Sequence, residues 1–201
     1  MKHKLLLILF LFPAILFAQN FRGGAFAGLA LSQIDGDKHG GYHKPGFIVG
    51  ASVDRALSED FALAMELKFI QKGAQASYNY DTGSDDYRVL LNYIQIPLLA
   101  KYNVWNSIWA EAGVGFAYLI DWEEEIDYTT MYFSSFKRSE FTFLAGATYD
   151  IPTTKLRVGA RFSYSLPVRK ISDAKVVSFL DKLQLYQYNN NLEFTLCYLF
   201  N

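Results

Sequence analysis

The chain has 201 residues, of which 51% are hydrophobic and 17% aromatic, with 19 Lys and Arg against 20 Asp and Glu. A balance this close to neutral excludes a nucleic-acid binder that works through bulk charge. Cys197 is the single cysteine, so no disulfide can form within the chain.

The first element is MKHKLLLILFLFPAILFA, with Lys2 and Lys4, an apolar run from Leu5 to Leu16, and Ala18 before Gln19. Charge, apolar core and small residue in that order predict a secretory signal peptide over residues 1–18, cut after Ala18. The run is short for a membrane anchor and Pro13 interrupts it. No cysteine follows the cut, so a lipid anchor is not expected there. Residues 19–201 then form one domain, with no linker-like shift in composition, and a net charge of 17 − 20 = −3 once Lys2 and Lys4 are gone. Beyond the leader no apolar run reaches the length of a membrane helix, so any membrane span must be a strand.

Eight segments follow with a period of two. Phe21 to Ser32 sets Ala25, Ala27, Leu29 and Leu31 against Arg22, Gly24, Phe26 and Ala30. Gly46 to Leu57 sets Phe47, Val49, Ala51 and Val53 against Ile48, Gly50, Ser52 and Asp54. FALAMELKFIQK, from Phe61, is the clearest: Leu63, Met65, Leu67 and Phe69 alternate with Ala64, Glu66, Lys68 and Ile70, a separation that a helical period would mix. Leu91 to Asn103 places Ile94, Ile96 and Leu98 opposite Tyr93, Gln95, Pro97, Leu99 and Lys101, and Pro97, which has no N–H to donate, predicts a bulge or bend. Ile108 to Trp122 opposes Ala112, Val114, Phe116, Tyr118 and Ile120 to Trp109, Glu111, Gly113, Gly115, Ala117 and Asp121. Ser139 to Ile151 opposes Phe141, Phe143 and Tyr149 to Thr142, Leu144 and Asp150; Lys155 to Leu166 opposes Val158, Phe162 and Tyr164 to Arg157, Arg161 and Ser163. The terminus NNNLEFTLCYLFN puts Leu192, Phe194, Leu196, Tyr198 and Phe200 on one face and Glu193, Thr195 and Cys197 on the other.

The connections alternate too. Ser58 to Asp60, Asn103 to Ser107 and Pro152 to Thr154 are short, whereas Gln33 to Pro45, Ala74 to Val89, Glu123 to Arg138 and Pro167 to Leu185 are long and polar. The pattern predicts an all-β, eight-stranded antiparallel up-and-down transmembrane β-barrel with both termini and the short turns in the periplasm and the long loops outside the cell. A soluble lipocalin-type barrel would turn its large apolar groups inward around a ligand and its other face to water. Here that other face is rich in Gly, Ala and Ser with a few charges, which suits a narrow interior, while the bulky face suits lipid.

GGAFAGLALSQIDGD, then GYHKPGFIVGASVDRALSEDFALAMELKFIQKGA, then YIQIPLLAKY make the chain resemble the PorT-like outer-membrane β-barrel family of Gram-negative bacteria, often labelled porin family protein, from about Asn20 to Asn201. The resemblance implies an eight-stranded barrel in the outer membrane and no catalytic residues. A role in protein secretion, which the PorT name suggests, is not carried over on barrel motifs alone.

The mixed face collects Arg22, Lys68, Lys101, Arg157 and Arg161 with Asp54, Glu66, Glu111, Asp150 and Glu193. Charges in a narrow, low-dielectric interior are costly unless paired. The expectation is an ion-pair network that plugs the lumen, since eight strands leave an interior only about wide enough for side chains. A small channel or transporter for ions or small solutes is the alternative, in which unpaired charges line a pore. Asp35, Asp37, His39 and His43 share one loop, but DGDKHGGYH is no complete calcium loop, and a solvated loop is expected with no metal bound. Asp81, Asp85 and Asp86, and Glu123, Glu124, Glu125 and Asp127, read as solvated acidic loops. There is no GxSxG and no Ser/His pairing at informative spacing, so neither catalysis nor a cofactor is expected, and Cys197 reads as packing. The partners expected are outer-membrane lipid, the barrel-assembly machinery during biogenesis, and an extracellular or periplasmic protein that the sequence does not identify.

Overall fold

The computed structural model describes residues 21–36, 41–76, 87–126, 129–130, 136–170 and 186–200; the leader predicted over residues 1–18 lies outside them. Ten strands follow in chain order: β1 Phe21–Asp35, β2 Lys44–Ala56, β3 Phe61–Ala76, β4 Tyr87–Trp105, β5 Ile108–Ile126, β6 Thr129–Thr130, β7 Ser139–Asp150, β8 Leu156–Ser165, β9 Arg169–Lys170 and β10 Tyr186–Leu199. Each of the eight long strands pairs antiparallel with its neighbours in the order β1-β2-β3-β4-β5-β7-β8-β10, and β10 returns to β1 with Leu29 opposite Phe194 and Gly24 opposite Leu199. The sheet therefore closes on itself and leaves no edge among these staves. β6 and β9 are two-residue additions to β5 and β10 beyond the barrel wall.

The period of two becomes inside and outside. Leu29, Leu98 and Phe143 keep 60%, 54% and 59% of their surface exposed, while Lys68, Gln95 and Glu193 are buried. Apolar outside and charged inside is the reverse of a water-soluble barrel and matches a wall solvated by lipid. The aromatic face of the terminal strand, Phe194, Tyr198 and Phe200 included, points outward.

Short hairpins join β2 to β3, β4 to β5 and β7 to β8. In the β4–β5 turn Asn106 adopts φ 47°, a conformation that an asparagine tolerates better than most side chains. The remaining connections are long and lie at the other end, so both ends of the described barrel chain fall at the short-turn rim.

Three expectations are corrected. Pro97 makes no bulge: Met65 pairs with Leu98 and Lys68 with Gln95 in one unbroken register, with only the two intervening pairs missing beside the proline. The register shifts in β4–β5 lie instead beside the hairpin, between Asn103 and Trp105, and between Asn92 and Tyr93, where Asn92 faces Asp121 and Tyr93 faces Leu119. That extra residue resets the alternation, so Ile120 and Asp121 are both exposed and Asp121 lies outside the lumen. The acidic run Glu123–Glu125 is not a loop but the end of β5, with Glu124 buried and Glu125 3.7 Å from Arg88. Likewise Ala74–Ala76 and Tyr87–Val89 are strand, so β3, β4 and β5 rise past the lipid-facing wall. Gly73 permits this rise: it has φ 138°, and a Cβ there would collide with the Val89 carbonyl.

Candidate functional site

The interior is the candidate site, and it is built in layers because inward positions recur every second residue along tilted strands. At the short-turn mouth, Arg157 on β8 donates through Nε to Asp150 Oδ1 and through Nη1 to Asp54 Oδ2, both at 2.5 Å. Arg22, 45% exposed on its side chain, reaches Asp150 at 3.2 Å and Asp54 at 3.8 Å. Lys101 Nζ lies 3.7 Å from both Asp54 Oδ2 and Glu111 Oε2, beyond hydrogen-bond reach of either.

Half-way along, Arg161 forms two parallel bonds to Glu66, Nη1 to Oε2 and Nη2 to Oε1, each 2.9 Å, and donates through Nε to Glu111 Oε1 at 2.8 Å. Lys68 reaches Glu193 Oε2 at 2.5 Å, and Arg161 Nη1 lies 3.8 Å from the same oxygen. The ten charged residues of the expected lumen network are thus linked to one another, with Arg22 at the open rim, whereas Asp121, which the alternation also placed inward, is not among them. Glu66 and Lys68, neighbours on one strand, take partners from other strands rather than each other.

The sequence reading missed a further layer. Lys72 Nζ donates to Glu140 Oε1 at 2.6 Å with both side chains fully buried, and the ammonium sits 5.1 Å from the centre of the Tyr93 ring. Asn189 Nδ2 donates to the other oxygen of Glu140 at 2.5 Å, and Gln95 Nε2 to Thr142 Oγ1 at 2.7 Å. Lys72 and Glu140 share the phase of Lys68 and Thr142, so continuing the alternation outward would have found both. With this pair the network holds six cations, Arg22, Lys68, Lys72, Lys101, Arg157 and Arg161, against six carboxylates, Asp54, Glu66, Glu111, Glu140, Asp150 and Glu193.

Towards the long-loop end an apolar cluster joins the filling, beside buried Lys44, Glu124 and Asn189. Ile34, Ile70, Ala74, Val89, Leu91, Leu119 and Phe136 pack together inside the wall. Between the charged layers the space lined by Lys101, Glu111, Arg157 and Arg161 is about 20 Å³, room for roughly one water.

At the long-loop rim, Asp35 accepts from Gln33 Nε2 at 2.6 Å, and Asn190 Nδ2 lies 3.5 Å from its other oxygen. Tyr42 Oη donates to Asn190 Oδ1 at 2.8 Å, and burial pushes the Tyr42 phenol above its ordinary range. Among the described residues no group of three metal-ligating side chains converges; Asp37 and His39 lie outside them, as do Asp81, Asp85, Asp86 and Asp127. Cys197 is buried on the inward face.

The sequence profile of the outer membrane protein beta-barrel domain matches residues 17–167. No curated protein matches the sequence. Among solved structures, Ail, the attachment invasion locus protein of Yersinia pestis, is similar at 12% identity over 90% of this chain and 100% of that one, with a TM-score of 0.50. Neisserial surface protein A gives 13% identity, 90% and 97% coverage and a TM-score of 0.49. OprG from Pseudomonas aeruginosa gives 13%, 90% and 95%, and 0.42. At 12% identity the likeness to Ail is one of fold.

Proposed function

Because the chain belongs to the outer membrane protein beta-barrel domain family, we propose that it is an outer-membrane protein, exported by a cleaved signal peptide, with a structural or interaction role carried by its long extracellular loops and not by a pore. Within the family, the GYHKPGF step and the IPLLAKY strand support a place among PorT-like members. The observation that carries this reading is the filling of the interior: six cations meet six carboxylates in the lower and middle lumen, and above them an apolar cluster around Leu91, Leu119 and Phe136 packs beside buried Lys44 and Glu124. Ions crossing such a barrel would have to displace paired charges and then wet an apolar constriction. The network acts as an internal frame that holds the wall rigid beneath the loops, and it contains no nucleophile set against a base.

The test has two arms. Purified protein in a planar bilayer should conduct little, and steady large conductance would replace this reading with that of a channel. On intact cells, replacing residues 171–185 by a Gly/Ser segment of equal length should leave the barrel inserted while abolishing its crosslinks to other surface or extracellular proteins. An unchanged crosslinking pattern would remove the loop-borne role.

A further inference from the structure

We propose that the outer face of the wall, at its short-turn end, is a seat for a single diacyl phospholipid. The seat starts as one cross-strand row. Tyr102 on β4 stands opposite Ala110 on β5, Ala110 opposite Ala147 on β7, Ala147 opposite Ala160 on β8, and Ala160 opposite Phe194 on β10. All five side chains lie on the exposed, outward face. Three methyl groups between two large rings leave a trough one side chain deep, and its floor from β5 to β8 spans two strand spacings, about 10 Å. The groove floored by Ala147 and Ala160 and walled by Tyr149, Val158 and Phe194 has a volume of about 370 Å³.

A second hollow, of about 320 Å³, continues the groove onto the rim, bounded by Trp105, Asn106, Ser107 and Pro152 of two short turns. Ile108 and Tyr149 line both hollows, so the two form one depression that runs from acyl depth to headgroup depth. Trp105, 69% exposed, and Tyr149 mark that level, where aromatic side chains with a polar tip gather on membrane proteins. Here the donors are unused: the Trp105 indole, the Asn106 amide and the Ser107 and Tyr149 hydroxyls make no hydrogen bond with any described residue.

The occupant follows from this polarity. An apolar trough below a donor-rich rim matches acyl chains joined to ester carbonyls, which accept hydrogen bonds and donate none. No charged side chain lines either hollow, so recognition falls on the glycerol esters rather than on a charged headgroup. A second copy of the barrel fits worse. Its convex wall would rest on the Tyr102 and Phe194 rings above the alanine floor, and the twelve residues lining the two hollows fall short of the roughly 20–30 a side of a stable protein interface. Acyl chains gain nothing hydrophobic by leaving bulk lipid for the wall. Retention therefore rests on close packing in the trough and on the rim donors. In the orientation proposed above, this lipid belongs to the periplasmic leaflet.

Barrel refolded without lipid into tetraethylene glycol monooctyl ether is titrated with dioleoyl phosphatidylethanolamine, and bound lipid is counted by native mass spectrometry. One adduct per barrel should saturate, and dioleoyl phosphatidylglycerol should give the same half-saturation. Ala147→Phe/Ala160→Phe, which fills the trough, should abolish the saturable adduct. Ala51→Phe, on the outward face of β2 between Ala25 and Leu67, should leave it intact. Trp105→Phe/Ser107→Ala should raise the half-saturating concentration about three- to tenfold, the scale of one net hydrogen bond. If the double phenylalanine variant lacks the heat-shifted gel band of a folded barrel, Ala147→Leu decides in its place. The seat is overturned by a statistical spread of adducts on the parent, by a strong preference for one headgroup, by a single adduct that survives filling of the trough, or by a parent dimer that the filling separates. Neither membrane sidedness, conductance nor loop partners enter the readout, so its failure leaves the proposed role standing.

Discussion

Arg161 and Glu66, 95 residues apart, face each other across the lumen through two parallel hydrogen bonds of 2.9 Å. The fork geometry uses both carboxylate oxygens and leaves Nε free for Glu111, so one guanidinium ties β8 to β3 and β5. Removing either member of the pair strands a buried charge. Arg161→Ala and Glu66→Ala should each lower stability by roughly 3–5 kcal/mol where the site is dry, seen as a lower melting transition of the detergent-solubilised barrel. Arg161→Lys should recover only part of the loss, because a point-charge ammonium cannot bridge both acids. Melting unchanged in all three variants would remove the network as the frame of the wall.

The outside of the wall makes a contrasting prediction. Val114 is half-exposed on the outward face, between Leu98 of β4 and Phe143 of β7 in the cross-strand register. If that face meets lipid, Val114→Arg should cost about 2–4 kcal/mol near the bilayer midplane, measured as the shift in reversible unfolding from vesicles. The same substitution in a water-facing wall would be close to neutral, and that result would contradict a membrane barrel.

How much of this was legible beforehand follows from what alternation can carry. In β3 the two faces differ so sharply, Leu and Met against Glu and Lys, that both the strand and its inward side could be read directly. Its two inward charges, Glu66 and Lys68, do meet partners inside the barrel. The bulge at Asn92/Tyr93 was illegible because no glycine or proline marks it, and the phase error it caused fell on Asp121 alone. Three consecutive glutamates cannot alternate in polarity, so the end of β5 reads as a loop although Glu124 turns in and Glu123 out. Pairing partners were out of reach for another reason. Which acid meets Arg161 depends on barrel shear, and no local pattern encodes that.

Membrane orientation has its own test. With the short turns in the periplasm, cysteine placed at Ser134, in the long connection after β5, should react with an impermeant maleimide on intact cells in a Cys197→Ser background. Cysteine at Thr153, in the β7–β8 turn, should react only after lysis. The opposite pattern would invert the barrel.

Tight packing inside the wall is testable at Gly115. A Cβ there would come within 2.7 Å of Thr142 Oγ1 and 2.8 Å of Gln95 Nε2, the two atoms that bond to each other over this glycine, from β4 to β7. Gly115→Val should push them apart and leave the buried Gln95 amide unsatisfied, at a cost of roughly 1–3 kcal/mol. Gly115→Ala should cost less. A valine variant melting with the parent would show that this part of the lumen has room to yield.

Lys72 and Glu140 separate the cost of burying an ion pair from the cost of breaking one. Both are fully buried, 2.6 Å apart, and lie beside Tyr93 and the apolar cluster at the long-loop end. Lys72→Met alone leaves Glu140 charged, with Asn189 and the Tyr93 hydroxyl left to satisfy it; Glu140→Leu alone leaves an unpaired ammonium near the Tyr93 ring. Each single change should destabilise by roughly 3–5 kcal/mol. In the double variant neither charge remains, and the two apolar side chains extend the existing layer around Ile70, Leu91 and Leu119. Its stability should therefore return close to the parent or exceed it, giving a coupling energy in the double-mutant cycle of roughly 6–10 kcal/mol, the sum of the two single losses. Because the double variant thickens the apolar layer, it should remain non-conducting in a planar bilayer. Additive losses in the cycle would mean that water or a third partner already satisfies each charge separately, and a conducting double variant would make the Lys72–Glu140 pair itself the seal.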